Sequence, residues 1–130
     1  MRLAVAGLTA LSLAGCSFKT FAVNKLGNAL SAPGPSVYTT DDDPDLIKAA
    51  LPFSLKTLES LLQTSPKHKG MLLTACSGFT SYANAFVQLD AEALESTDYE
   101  ESERLKVRAR RLYLRGRDYC MRRITRSDLM

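Results

Sequence analysis

The residues best placed to do chemistry are Leu13-Ala14-Gly15-Cys16, at the end of an apolar run that begins at Leu3. Arg2 supplies a positive start, and Ala14 and Gly15 are the small residues expected before a cleavage point. The run is shorter than the roughly 20 apolar residues a spanning helix needs, so residues 1–15 read as a removed signal of the bacterial lipoprotein type. The Cys16 thiol is then the expected acceptor of a diacylglycerol, leaving Cys16 as the acylated first residue. Several acyl chains together hold a protein stably at a membrane surface. Ser17 is not the aspartate of an inner-membrane retention signal, which favours the periplasmic face of an outer membrane.

Two further cysteines remain, Cys76 and Cys120. An exported pair invites a disulfide. If their helices are antiparallel about a turn near residues 93–94, however, the two lie about 13 Å apart along the axis. A bridge wants its Cα atoms within about 7 Å, so the pair is expected to act as small buried apolar side chains. His68, the single histidine, sits between Lys67 and Lys69 and reads as a solvated turn residue. It is about 12 Å along a helix from Cys76, too far for a local Cys–His nucleophile. No Gly-rich phosphate loop, Cys-x-x-Cys or histidine pair occurs, so no cofactor, metal site or catalytic residue is expected and the chain does not read as an enzyme. Asp41-Asp42-Asp43 lacks the glycine and closing glutamate of a calcium loop and reads as a helix cap before Pro44.

Charge is unevenly placed. The chain carries 17 Lys+Arg and 14 Asp+Glu, for a net charge of +3, but an acidic block from Asp90 to Glu103 is followed by a basic one from Arg104 to Arg126. Arg104, Arg108, Arg111 and Arg115 recur at helical spacing. They can form a solvated face paired to the acidic block, as Glu100 with Arg104, or dock an acidic protein partner or anionic headgroups. Export excludes nucleic acid as their target. Phe79, Tyr82 and Phe86 could line an apolar groove, or pack in a core.

The elements that must position these groups are all helical. Residues 17–32 suggest a short amphipathic helix, ended by Ala32-Pro33-Gly34-Pro35-Ser36, so residues 16–40 form a lipidated arm and linker that reaches to the domain or packs back on it. A domain over residues 41–130 follows. Ile47, Leu51, Leu55, Leu58 and Leu62 mark its first helix, with a kink or break expected at Pro52. Leu72, Cys76, Phe79, Ala83, Phe86 and Val87 mark a second, rich in small residues. The acidic stretch Asp90 to Asp98 reads as a loop or frayed end. Asp98 then caps a third helix, with Glu101 as capping-box partner and Leu105, Ala109, Leu112, Gly116 and Tyr119 on one face. The predicted architecture is all-α, antiparallel helix pairs forming a partial tetratricopeptide-like solenoid. Ala109, Tyr113 and Gly116 fit the small-large-small pattern of such a unit.

Several stretches in order resemble one family: Leu13-Ala-Gly-Cys-Ser17, Ala22-Val-Asn-Lys-Leu-Gly27, Asp41-Asp-Asp-Pro44, Leu51-Pro-Phe-Ser-Leu-Lys-Thr-Leu-Glu-Ser-Leu-Leu62, Ala75-Cys-Ser-Gly-Phe-Thr-Ser-Tyr-Ala83 and Arg108-Ala-Arg-Arg-Leu-Tyr-Leu-Arg115. They are similar to the T-component of tripartite ATP-independent periplasmic (TRAP) transporters. The resemblance implies a tetratricopeptide-like periplasmic lipoprotein that associates with the transporter's solute-binding protein and forms homotrimers, with pores or grooves that pass apolar ligands. It carries over only Cys16 as a defined functional position. Members of the family continue through further repeats, whereas Ile124-Thr-Arg-Ser-Asp-Leu-Met130 does not continue the pattern, so the expectation is a truncated member. A non-enzymatic docking scaffold is the first expectation. A carrier of a lipid or other apolar ligand, and an inactive fragment of a longer protein, are the alternatives.

Overall fold

A computed structural model describes residues 18–34 and 36–124. Cys16, the signal segment 1–15 and the tail from Thr125 lie outside the described residues. The described residues are helical, with no strand among them: α1 (residues 18–30), α2 (Val37–Thr40), α3 (Pro44–Thr64), α4 (Lys69–Ala83), a π-helical turn (Asn84–Gln88), α5 (Leu89–Leu94) and α6 (Tyr99–Arg123).

The helix starts follow from side chains that accept the first free amides. The Asp43 carboxylate accepts from Asp45 N at 3.1 Å and Leu46 N at 3.0 Å, with Pro44 at the first helical position, where its missing N–H costs nothing. His68 is more than a solvated turn residue: its Nδ1 accepts from Met71 N at 3.1 Å and caps α4. Asp98 caps α6 by accepting from Glu101 N at 3.1 Å. The capping box is not completed, because the Glu101 carboxylate reaches forward to Arg104 instead.

Three expectations need correction. Pro52 does not split α3, which runs unbroken to Thr64. Proline removes one backbone hydrogen bond, while Leu51 on one side and Leu55 on the other pack on the core and keep the helix in register. The acidic stretch is not a loop from Asp90. The chain stays helical through the π turn and α5 to Leu94, because Val87 and Ala91 are fully buried and the Ser102 hydroxyl donates to Ala91 O at 2.8 Å. Lys48 of α3 also pairs with Asp90 at 2.6 Å, so charges that look loop-like in sequence fasten α5 to α3. The turn before α6 is therefore confined to residues 95–98.

That shift moves the antiparallel register of α4 on α6 and overturns the reading of the cysteines as free apolar residues. With the pivot near residue 98 rather than 93–94, Cys76 faces Cys120, and the two are joined in a disulfide with Cα atoms 5.1 Å apart. The helices come this close because Gly116 lies in the contact. A Cβ there would meet Thr80 Oγ1 at 2.7 Å and the Cys76 carbonyl at 3.1 Å.

The core lies where α3 and α6 flank α4. Leu55, Leu58 and Leu62 come from α3, Met71, Leu72, Ala75 and Phe79 from α4, and Ala109 from α6. Leu105, Leu112 and Tyr119 pack around it, as the α6 spacing predicts. The arm packs back on this body rather than standing off it. Val23 touches the core, Asn24 Oδ1 accepts from the Ser65 hydroxyl at 2.6 Å, and Gly27 is buried against Met71.

Candidate functional site

Helix α6 carries the four stripe arginines, and its packing on α4 gives each a different environment. Arg104 pairs with Glu101 of its own helix, not with Glu100. Both are solvent-facing, and such a pair adds little stability. Arg108 lies over the Tyr82 ring, 6.0 Å from its centroid, and reaches the phenol oxygen at 3.5 Å. Arg115 lies over the Phe79 ring at 5.2 Å and places its Nε 2.8 Å from Glu59 Oε1. Arg111 is exposed, between Arg108 and Arg115, and has no ion-pair partner among the described residues. Arg108 and Arg115 thus each rest on an aromatic ring, while Arg111 faces solvent.

The three aromatics do not line an open groove together. Phe79 and Tyr82 are core residues, 3% and 7% exposed, and Phe86 is half-buried against Tyr82 with ring centroids 5.8 Å apart. Helical spacing of large apolar groups specifies a buried face whether or not a ligand exists, and here α6 covers it. Their roof is cationic: Arg108 and Arg115 lie on the rings, contacts that gain from the negative face of the π system.

The sequence reading missed Glu59. It sits on α3 at 9% exposure, and its carboxylate accepts from the Tyr119 hydroxyl at 2.7 Å and from Lys56 Nζ at 2.7 Å, besides Arg115. Three donors satisfy a charge that would otherwise be expensive to bury. Burial alone would raise its pKa. The hydrogen bonds from Lys56 and Tyr119 and the Arg115 guanidinium outweigh burial and hold the carboxyl below its ordinary 4.5. Burial, and then the hydrogen bond to Glu59, push the Tyr119 phenol up.

The sign of the pH dependence follows. The folded carboxyl gives up its proton more readily than the unfolded one, so the network stabilises fully above the unfolded value near 4.5 and loses that contribution as pH falls through the folded value. Glu59→Gln is expected to cost about 1 kcal/mol at pH 7, a figure kept low because Lys56 is mostly and Arg115 about half solvated, and the cost should shrink toward about pH 3. Thermal melts of both proteins at the two pH values check this. A cost that is independent of pH would remove the ionised carboxylate from the account.

Among the described residues no group of histidine, cysteine, aspartate and glutamate is placed to hold a metal ion, and no helix is long and apolar enough to cross a membrane.

A family model for the TRAP transporter T-component matches residues 40–129. An uncharacterized protein of Treponema pallidum (strain Nichols) is 38% identical over 125 residues, covering 85% of this chain and 38% of that protein. The chain thus spans well under half the length of that relative. No solved structure matches.

Proposed function

This chain belongs to the TRAP transporter T-component family, and we propose that it serves such a transporter as a non-enzymatic helical scaffold that docks the periplasmic solute-binding protein. Membership supports reading it as an accessory component of a cell-envelope transporter. The docking role is supported by one observation above the rest: Arg111 is exposed on α6 and unpaired among the described residues, beside Arg104 and Arg108 and with Arg115 at the end of the same stripe. A rigid helix presenting cations suits an acidic protein surface, where such charges set association rate and specificity. In this reading the antiparallel helix pairs are tetratricopeptide-like units that could assemble as homotrimers.

Anchoring completes the proposal. Residues 1–15 are removed, Cys16 is acylated, and the body is held at the periplasmic face of the outer membrane. Placement of Phe79 and Tyr82 in the core gives the apolar-carrier alternative no lining from those residues.

The test is capture of the transporter's solute-binding protein on immobilised chain, with Arg111→Glu as the variant. Arg111 is solvent-exposed, so its reversal should leave the fold intact. Capture is expected to weaken about fivefold or more, with the difference vanishing at high salt. Equal capture by both proteins at low salt would remove the stripe from the docking surface.

A further inference from the structure

Between the C-terminal halves of α3 and α6 lies an open cleft of about 420 Å³. Lys56, Gln63, Arg115, Tyr119 and Arg122 line it above Glu59. Phe79 and Tyr119 stack beneath Arg115 and Arg122, with centroids 5.8 Å apart and planes 11° from parallel. The Arg115 guanidinium lies 5.2 Å from the Phe79 centroid, and that of Arg122 lies 5.2 Å from the Tyr119 centroid. Two guanidinium groups are therefore laid on one aromatic stack. Each is tethered once more, Arg115 Nε to Glu59 at 2.8 Å and an Arg122 Nη2 to the Pro66 carbonyl at 3.1 Å. A guanidinium has five N–H donors in a fixed fork, so each tether leaves donors over while removing most of the freedom that binding would otherwise cost.

Glu59 does not cancel this charge. The cleft is lined by three cations, Lys56, Arg115 and Arg122, against one carboxylate, and both oxygens of that carboxylate are already occupied, Oε1 by Tyr119 and Arg115 and Oε2 by Lys56. Glu59 orients the donors, and the cleft keeps an excess of positive charge. We propose that this cleft binds a small organic anion through a carboxylate or phosphate group, held by the forks of Arg115 and Arg122 with Lys56 at the rim. Arginine forks match such groups with paired, charge-assisted hydrogen bonds. The cleft is concave and falls within the few-hundred-Å³ range of small-ligand sites, which favours a free solute over an acidic protein surface. The inference is independent of the docking role, which turns on Arg111.

Titration calorimetry on the full chain at low ionic strength, with citrate and separately with inorganic phosphate, tests it. Saturable binding of at least one anion is expected, weakened about tenfold or more by Arg122→Gln and changed less than about twofold by Arg111→Gln, which removes the same charge outside the cleft. Lys56→Gln, at a largely solvated side chain, should weaken binding as well and serves if Arg122→Gln does not fold. Equal weakening by the cleft variants and Arg111→Gln would reduce the effect to bulk attraction and overturn the site. So would the absence of saturable binding by either anion. Binding to phosphatidylglycerol vesicles that needs Arg122 but is indifferent to citrate would move the chemistry to a lipid headgroup and overturn the free-solute assignment.

Discussion

Replacing Cys76 and Cys120 together with serine is expected to cost roughly 2–4 kcal/mol of stability. The bridge spans 44 residues of sequence. Closing a loop of that length in the unfolded chain corresponds to about 4 kcal/mol of chain entropy, and measured effects run at or below such values. For a domain of this size the loss lowers the melting temperature by on the order of 10–20 °C. Helical circular dichroism, followed on heating with and without dithiothreitol, reads the effect directly. The oxidised wild type should melt highest, the reduced wild type should match the double serine variant, and the variant should ignore the reductant. A wild type indifferent to reduction would mean that the two thiols are not joined. The periplasmic placement proposed above would put the chain in an oxidising compartment, where such bridges persist.

The bridge also shows where sequence reading reaches and where it stops. Helix starts at Asp43 and Asp98 are legible because capping is local: a carboxylate two or three residues before free amides needs no knowledge of the rest of the fold. The core faces of α3, α4 and α6 are legible for the same reason, since Leu55, Leu58 and Leu62, or Ala109 and Gly116, repeat at helical spacing. The register between helices is not local. It depends on where the chain turns, and the charge of Asp90, Glu92 and Glu95 hides a helical face made of Val87, Ala91 and Leu94. The π turn compounds this, because an extra residue in one turn shifts the phase of every later position away from the 3.6-residue period. An error of about five residues in the pivot displaces facing positions on antiparallel helices by twice that. Cysteines that are bonded then read as lying far from each other.

The candidate sites divide along the same line. That arginines recur along α6 is readable; which of them are engaged is not. Arg115 is occupied by Phe79 and Glu59 and Arg108 by Tyr82, partners 26 or more residues away in sequence. Glu59 leaves a faint trace. It falls on the same helical face as Leu55 and Leu62, a place where a carboxylate demands partners, but those partners, Tyr119 and Arg115, come from the far end of the chain. The cleft exists only because α3 and α6 flank α4 side by side, and no property of either helix alone announces it.

The close approach of α4 and α6 rests on Gly116, and adding a side chain there is the second large effect expected. In an isolated helix Gly→Ala gains about 1 kcal/mol. In this contact the new Cβ would lie 2.7 Å from Thr80 Oγ1 and 3.1 Å from the Cys76 carbonyl oxygen. The hydroxyl is held by its own bond to that same carbonyl at 2.9 Å, and the carbonyl is backbone of α4. Relief therefore requires the helices to separate, against a bridge four residues on that holds Cys76 and Cys120 at a Cα distance of 5.1 Å. Overpacking of this kind costs roughly 1–3 kcal/mol, so Gly116→Ala should be destabilising on balance despite its better helix propensity. Gly116→Leu, which cannot be seated by a small shift, should prevent α6 from docking at all. Thr80→Ala paired with Gly116→Ala should recover some of the loss, because it removes the nearer of the two contacts, while the carbonyl contact remains. Denaturant melts of the three variants distinguish this account from a propensity effect: a Gly116→Ala protein more stable than the wild type would mean that α4 and α6 are not in the close contact that joins the bridge, the aromatic stack and the basic cleft into one structure.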